Sequence, residues 1–473
     1  MKNRTKKVVV NFFYQSLFQV LTITFPMITI PIVSHNLGVE QIGMWSFTNS
    51  IVGYVLVLAA LGRASYATRE IAYVRENKED LSKKFWELQY FNMIFSLSIF
   101  LIYIIIILLT NQSYLFLIQS LMILGVVFDI SWFFQGIEEF KKIALKRTVI
   151  KIFSLFCIIM FINSPADLWI YALILSGSKL ISALVLWKLL FGYVVYIKVS
   201  IKSIWSHLKP ALSFFILKIS ATIFVNINTT ILGIVSTVVS VGYFTNSLKL
   251  IVILGTIMNS INQVLLPRMS NLQKKGHEGK LIATLQKTIH FQLFCTIAMM
   301  FGIIAINQNL IDWLLGEEFY YVKNLVPLLA PILVFQQLHQ GIADQFLVPR
   351  NEMKLYNLTM IIGTFLNVII CIALIPIIEV YGAVLGFLLG QIFLAVSRAI
   401  ILILKSTFKF HWVAIVKWLL SGLLMLATIR ITTNGMGSTA LTTFVQIVLG
   451  FITYMGLTFI LKENLIYRFI KIK

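Results

Sequence analysis

Few ionisable side chains interrupt the long apolar runs of this 473-residue chain, and most of those that do are bases. Lys249 lies about nine residues into its run and Lys218 about eight, which at ~1.5 Å per residue puts both well inside a spanning helix. Neither lifts its ammonium group into water easily. Lys179 is ambiguous, and Arg63 and Arg398 lie near run ends, from which a long side chain can snorkel. The opposing acids are few: Asp129, in FDISWFFQGIEEFKK, and Asp344, closing QQLHQGIAD. A cavity richer in lysine than in carboxylate suits an anionic cargo, because the ligand supplies the partner that the ammonium groups lost with water. A site for organic cations needs the reverse balance. Asp129, Asp344, Glu139 and His339 are candidates for carrying a coupling proton or sodium ion, His339 because imidazole titrates in the useful range. They serve equally well as partners that keep a bundle of bases neutral.

The helices that must position these groups carry polar stripes. One holds Asn11, Gln15, Gln19, Thr22 and Thr29, with Pro26 and Pro31. A second holds Trp45, Asn49 and Gly53. A third holds Lys218, Thr222, Asn226, Thr229 and Gly233, and a fourth Thr245, Lys249, Thr256, Ser260 and Gln263. Spacings of three, four or seven put each set on one helical face. Such residues also serve as hydrogen-bonding glue between membrane helices. The lysines in two stripes favour a cavity, with Gln15, Gln19, Asn49, Asn226 and Gln263 as its polar lining. Asp129, Trp132, Gln135 or Gly136, and Glu139 share a face in the same way.

Composition sets the frame. The chain is 59% hydrophobic and 12% charged, with a mean hydropathy of +0.90. A water-soluble domain of this size cannot hide so much apolar surface. Long continuous runs, rather than short alternating ones, point to an all-α polytopic membrane protein and not a barrel. Cys157, Cys295 and Cys371 are isolated within apolar runs, with neither a disulfide framework nor metal-ligand spacing. The opening MKNRTKK resembles a signal-peptide start, but Asn11, Gln15 and Gln19 interrupt the run that follows. It reads as a retained first span reaching about Val33.

At roughly 20 residues per span, fourteen helices fit, near 11–33, 43–66, 85–110, 113–136, 143–162, 165–190, 210–235, 240–266, 284–306, 323–347, 355–378, 380–404, 411–432 and 438–461. With both termini in the cytoplasm, 33 of the 39 lysines and arginines fall on inner segments; the exceptions are Lys179, Lys218, Lys249, Lys323, Arg398 and Arg430. A wrong helix count would scramble this alternation. The net charge of +21 is thereby explained by topology and anionic-lipid contact, not by nucleic acid. Outer connections are short: His35–Gln41, Asn111–Gln112, Ser236–Val239 and Asn434–Gly437, with Asn307–Val322 the longest. None holds a folded domain of the kind a membrane glycosyltransferase or polymerase needs, so the chain reads as a transporter rather than an enzyme.

The two halves repeat. Gly43, in IGMWS, and Gly242, in VGYFT, stand 199 residues apart, as do Arg69 and Arg268; Gln135-Gly136-Ile137 and Gln340-Gly341-Ile342 stand 205 apart. Each half has six helices starting on the same side, a parallel repeat with an expected central cavity. The expected division is 1–200 for the first lobe, 201–409 for the second, and 410–473 for two appended helices and a tail.

FDISWFFQGIEEFKK, ATREIA at Ala67–Ala72, and the stretch from Pro26 to Ser46 resemble the Wzx-type polysaccharide-biosynthesis flippases of the multidrug/oligosaccharidyl-lipid/polysaccharide exporter superfamily. The resemblance covers essentially the whole chain and is strongest over residues 8–150. It implies a MATE-like and MurJ-like fold of two lobes and alternating access in a bacterial cytoplasmic membrane. The implied cargo is an undecaprenyl-diphosphate-linked oligosaccharide for capsule, O-antigen or exopolysaccharide synthesis, with polymerase or ligase machinery as partners. By the same analogy Lys218 and Lys249, then Arg63, are candidates for the diphosphate. No cofactor is implied beyond a proton or sodium gradient. Relatives often carry an acid in the seventh helix, where this chain has Asn226-Ile227-Asn228-Thr229; that departure weakens a carboxylate-based coupling role there. The rival readings are a multidrug or cation antiporter of the same superfamily and a membrane glycan polymerase.

Overall fold

A computed structural model describes residues 2–110 and 114–464, with side chains from residue 24 onward except Leu217. Every regular element among them is helical. The chain forms two compact units, Met1–Asn226 and Ile227–Lys473. The first unit comprises α1 (Lys2–Ala60), α2 (Arg63–Val74), α3 (Lys78–Thr110), α4 (Tyr114–Val127), α5 (Ser131–Gly136), α6 (Phe140–Phe161), α7 (Leu168–Leu190), α8 (Ile201–Trp205) and most of α9 (Leu208–Val235). The second comprises the end of α9, then α10 (Val238–Lys274), α11 (Glu278–Leu315), α12 (Val322–Leu329), α13 (Ile332–Ile342) with a π turn at Ala343–Leu347, α14 (Met353–Ile378), α15 (Val380–Lys405), α16 (Trp412–Thr432) and α17 (Ala440–Ile460).

Twelve helices among the described residues are long and apolar enough to cross a membrane. Two further spans bring this to the fourteen expected. At ~1.5 Å per residue the 59 residues of α1 extend about 90 Å, against ~30 Å for a hydrocarbon core. α1 is two helices joined at Gly38, whose φ of 77° and ψ of 173° are closed to most L residues. α6 has the length, 22 residues, but carries Lys141, Lys142, Lys146, Arg147 and Lys151.

Three sequence expectations need correction. No loop separates the first two spans at 35–41; one glycine turns the chain there. The long connection expected at 307–322 is mostly helix, because α11 continues to Leu315 and only Gly316–Tyr321 remains. The helix expected at 113–136 breaks between α4 and α5. At that break the Asp129 carboxylate accepts from Ser131 N at 3.0 Å, a local turn that competes with the helical ladder. The carbonyls freed by the break are taken by amides of α3. Asn92 donates to Val126 O and Val127 O at 3.1 and 2.8 Å, and Gln89 to Val127 O at 3.1 Å. In an apolar surrounding each unmet carbonyl would cost several kcal/mol.

The repeat is visible in local geometry. The joint at Gly38 corresponds, 199 residues on, to Thr237, which caps α10 by accepting from Ser240 N. Thr48 donates to Met44 O and Ser247 to Tyr243 O, again 199 apart. The two QG glycines share a task. A Cβ at Gly136 would lie 2.6 Å from Ile71 Cγ2, and one at Gly341 2.7 Å from Gln292 Oε1. In each unit glycine lets this helix lie against its neighbour. The halves differ after their second span: the first breaks at Leu61 and Gly62 (φ 44° and 65°), whereas α10 runs on unbroken. In the second unit α16 and α17 lean on α11, with Tyr454 donating to Phe294 O at 3.0 Å and Trp313 to Thr443 Oγ1 at 2.8 Å.

Candidate cargo-binding and coupling residues

In the first unit the break at Leu61–Gly62 delivers Arg63 into the interior. A Cβ at Gly62 would sit 2.5 Å from Phe215 N, so glycine is required for the backbone of α9 to approach. Arg63 is 2% exposed, yet its Nε and Nη1 have no hydrogen-bond partner. Asp129 is the acid whose charge reaches it, without forming an ion pair among the described residues. Lys218, one turn beyond Phe215 on α9, is exposed. Two of the candidate cations thus sit on segments that touch. Asn49 and Gly53 lie one turn apart on α1, and a Cβ at Gly53 would come 2.6 Å from Asn226 Nδ2, so this polar face of α1 meets that of α9. The side chains of Gln15 and Gln19 lie outside the described residues.

Two of the three segments that carry the family resemblance, FDISWFFQGIEEFKK and ATREIA, are pressed together. Thr68 of ATREIA donates to Trp132 O at 3.3 Å, and Gly136 meets Thr68 and Ile71. Trp132 stacks on Phe85 at 5.6 Å within a buried aromatic cluster. Its indole donates to Asp129 O at 2.9 Å. Glu139 stands at the first position before α6 without a side-chain capping bond, beside Lys142 at 3.8 Å. In this unit the FDISWFFQG stretch is a packing hub, and its acid shapes a turn.

Sequence reasoning missed a second polar cluster there. His207, just before α9, sits between Tyr66 and Glu87: Tyr66 OH to Nδ1 is 2.8 Å and Nε2 to Glu87 Oε2 is 3.3 Å. With Glu87 an acceptor, Nε2 carries the proton and Nδ1 accepts from the tyrosine. Lys84 also donates to Glu87, at 2.8 Å. Burial, then the charge of Lys84, pushes the imidazole below its ordinary value, against the pull of Glu87. A histidine in a basic linker between two helices gave no signal in the sequence.

In the second unit Lys249 is half-buried on α10 and makes no hydrogen bond or ion pair among the described residues. Gln263 is exposed; its neighbour Asn262 is the buried amide. Asn262 Oδ1 accepts from Gln292 at 2.7 Å and Gln345 at 2.8 Å, and its own Nδ2 lacks a partner. Helical spacing admitted either neighbour, and packing chose Asn262. Asn228 and Asn367 exchange reciprocal amide bonds of 3.1 and 3.0 Å, and Asn228 also donates to Ala383 O at 2.8 Å. The amides of Asn228 and Asn367 close on each other where an acid was expected from relatives.

His339 and Asp344 lie one turn apart around Gln340. His339 Nε2 meets Gln391 Oε1 at 2.8 Å, and Nδ1 meets Arg398 Nη1 at 3.1 Å. Arginine only donates, so Nδ1 accepts and the ring is neutral. Arg398, 1% exposed, also reaches Thr359 Oγ1 and His339 O. Asp344 accepts from Gln340 at 3.2 Å and lies within the charge field of Arg398. Among the described residues no group of three or more metal-ligating side chains is present.

Helices long and apolar enough to span a membrane, repeated in the two halves and holding bases with no ion pair among the described residues, define a polytopic membrane protein. Comparison with known proteins supplies the family. The chain belongs to the polysaccharide biosynthesis protein family, which matches residues 8–273. Two curated proteins named "Putative O-antigen transporter" are similar. The one from Escherichia coli K12 is 25% identical over 273 residues, 55% of this chain and 64% of its own length. The one from Shigella dysenteriae is 22% identical over 380 residues, 78% of this chain and 93% of its own length. The fold is shared with the lipid II flippase MurJ in an inward closed conformation (TM-score 0.78, 16% identity, 97% of this chain and 100% of that one). It is shared more distantly with an inward-facing multidrug resistance transporter of the MATE family (TM-score 0.60, 15% identity, 88% and 96%). The curated relatives and both structural neighbours are named as transporters or flippases.

Proposed function

We propose that the chain is a flippase that moves an undecaprenyl-diphosphate-linked oligosaccharide from the inner to the outer leaflet of a bacterial cytoplasmic membrane by alternating access. Both termini lie in the cytoplasm in this reading, as the distribution of bases supports. The observation that carries it is the set of unneutralised cations. Two nitrogens of buried Arg63 and the ammonium group of half-buried Lys249 have no hydrogen-bond partner among the described residues. Burying a cation costs several kcal/mol unless an anion joins it, and a diphosphate is such an anion. Lys249, Lys218 and Arg63 are assigned to that headgroup, and Asn49, Asn226, Gln263, Gln15 and Gln19 to the sugars. Of the coupling candidates, Asp344 ranks first; Glu139 lies beside Lys142. His339 already spends both ring nitrogens, and Asp129 holds a turn. The relatives named for O-antigen transport support the substrate class, with polymerase or ligase proteins as neighbours in the pathway.

The test is complementation of a strain lacking its O-antigen or capsule flippase, with membrane levels checked. Wild type is expected to restore surface polysaccharide, and Lys249→Ala and Lys218→Ala to lose it. Restoration by both variants would remove the lysines from the site. Efflux of organic cations without any restoration would favour the antiporter.

A further inference from the structure

The linker between α7 and α9 has two faces of different chemistry. Inward, Val194 and Ile204 join the buried core, with Ile197 and Val199 packed against it. The ribbon is pinned to α3, Trp86 donating to Val195 O and Ser82 accepting from Val195 N, both at 3.0 Å. Outward, a linker in water would show polar residues. This one shows Phe191 (69% exposed), Tyr196 (69%), Ile201 (74%), Val195 and Trp205. That apolar face continues onto exposed Leu184 of α7 and Leu212 and Ile216 of α9, on the spanning helices to either side. Lys188, Lys198, Lys202 and Lys209 are exposed along the same stretch and have no carboxylate partner among the described residues. No acid occurs in the sequence between Asp167 and Glu278.

We propose that the linker, with Lys188 at the end of α7 and Lys209 at the start of α9, is a membrane-surface foot whose lysines bind the headgroups of anionic phospholipids. Tyrosine and tryptophan favour the headgroup level, where an apolar body and a polar tip are both satisfied. The aromatic and aliphatic side chains enter the acyl boundary, and the lysines meet phosphate above it. Four like charges with no carboxylate partner among the described residues repel one another unless an anionic surface takes them up. The foot fixes the level at which α9 enters the bilayer. This inference is independent of the cargo.

The test is native mass spectrometry of the full chain in detergent, titrated with phosphatidylglycerol or phosphatidylethanolamine. Wild type is expected to prefer phosphatidylglycerol. K188Q/K198Q/K202Q/K209Q is expected to lose about tenfold in that affinity, since each base near an anionic surface contributes measurably, and the four-arginine counterpart to keep it. K274Q/K275Q/K280Q/K287Q removes the same charge from exposed positions on α10, α11 and their turn, and is expected to bind like wild type. Unchanged binding by the linker variant overturns the proposal. So does an equal loss in the control, which would mean net charge alone, or a loss in the arginine variant.

Discussion

At the scale of single residues, Lys249 separates a structural from a binding role. It makes no hydrogen bond or ion pair among the described residues, so its removal should leave folding intact and strike the cargo. Lys249→Ala is expected to keep wild-type membrane levels and thermal stability while lowering transport roughly tenfold or more, the scale of one charge-assisted contact; Lys249→Arg should recover part of it. A fall in stability that accounts for the loss would make the lysine structural. His207 makes the opposite kind of residue. Its imidazole is held below its ordinary value, so the folded state binds fewer protons than the unfolded one near pH 6. The stability contributed is fully present above the unfolded pKa, ~6.5, and is lost as pH falls toward the folded one. Wild type should therefore lose melting temperature between about pH 7.5 and pH 5.5, and His207→Gln should lose distinctly less. Equal losses would remove His207 as the cause. The sequence named Lys249 because a base in an apolar run is conspicuous. It passed over His207 because a histidine in a linker shows its worth only through Tyr66 and Glu87, far away in the chain.

At the scale of elements, the positions of the helices were legible because each apolar run is at least as long as a bilayer is thick, but α3, α10 and α11 continue past the expected ends, because a helix carries on into polar sequence that hydropathy does not mark. What was not legible is where a long run turns without leaving the membrane. Gly38 and Leu61–Gly62 carry no charge to mark them, and at Phe128–Ile130 the amide that takes the freed carbonyls, Asn92, comes from another helix. The QG glycines were visible as a repeat, and packing supplies their reason. Gly136→Ala puts a methyl group against Ile71 and the Thr68 carbonyl and should cost ~1–3 kcal/mol, read as a lower melting temperature. Gly177→Ala, with nothing within 4 Å, should be neutral or slightly stabilising. Equal effects would mean that helix propensity alone decides. Asn92→Ala strips the carbonyls at the α4 break of a donor and should cost ~1–3 kcal/mol; an unchanged melting temperature would show that the break has other support.

At the scale of the whole molecule, the all-helical membrane fold followed from hydropathy, and the fold shared with MurJ agrees with it. The candidate site was legible in its charges and not in its detail. Asp129 was conspicuous as a carboxylate inside an apolar run, and it shapes a turn. Gln263 and Asn262 could not be told apart by spacing. Orientation has its own check. A single cysteine at Gly276, in the exposed turn between α10 and α11, in a chain whose Cys157, Cys295 and Cys371 are replaced, should react with a membrane-impermeant thiol reagent only after cells are opened. Labelling in intact cells would invert the topology. The central claim concerns the cargo, and reconstitution tests it most directly. Purified protein in vesicles would be given a labelled polyprenyl-diphosphate oligosaccharide in one leaflet, and its arrival in the other followed by an impermeant modifying reagent. Wild type should move it well above protein-free vesicles and Lys249→Ala should not; wild-type movement no faster than in protein-free vesicles would contradict the account.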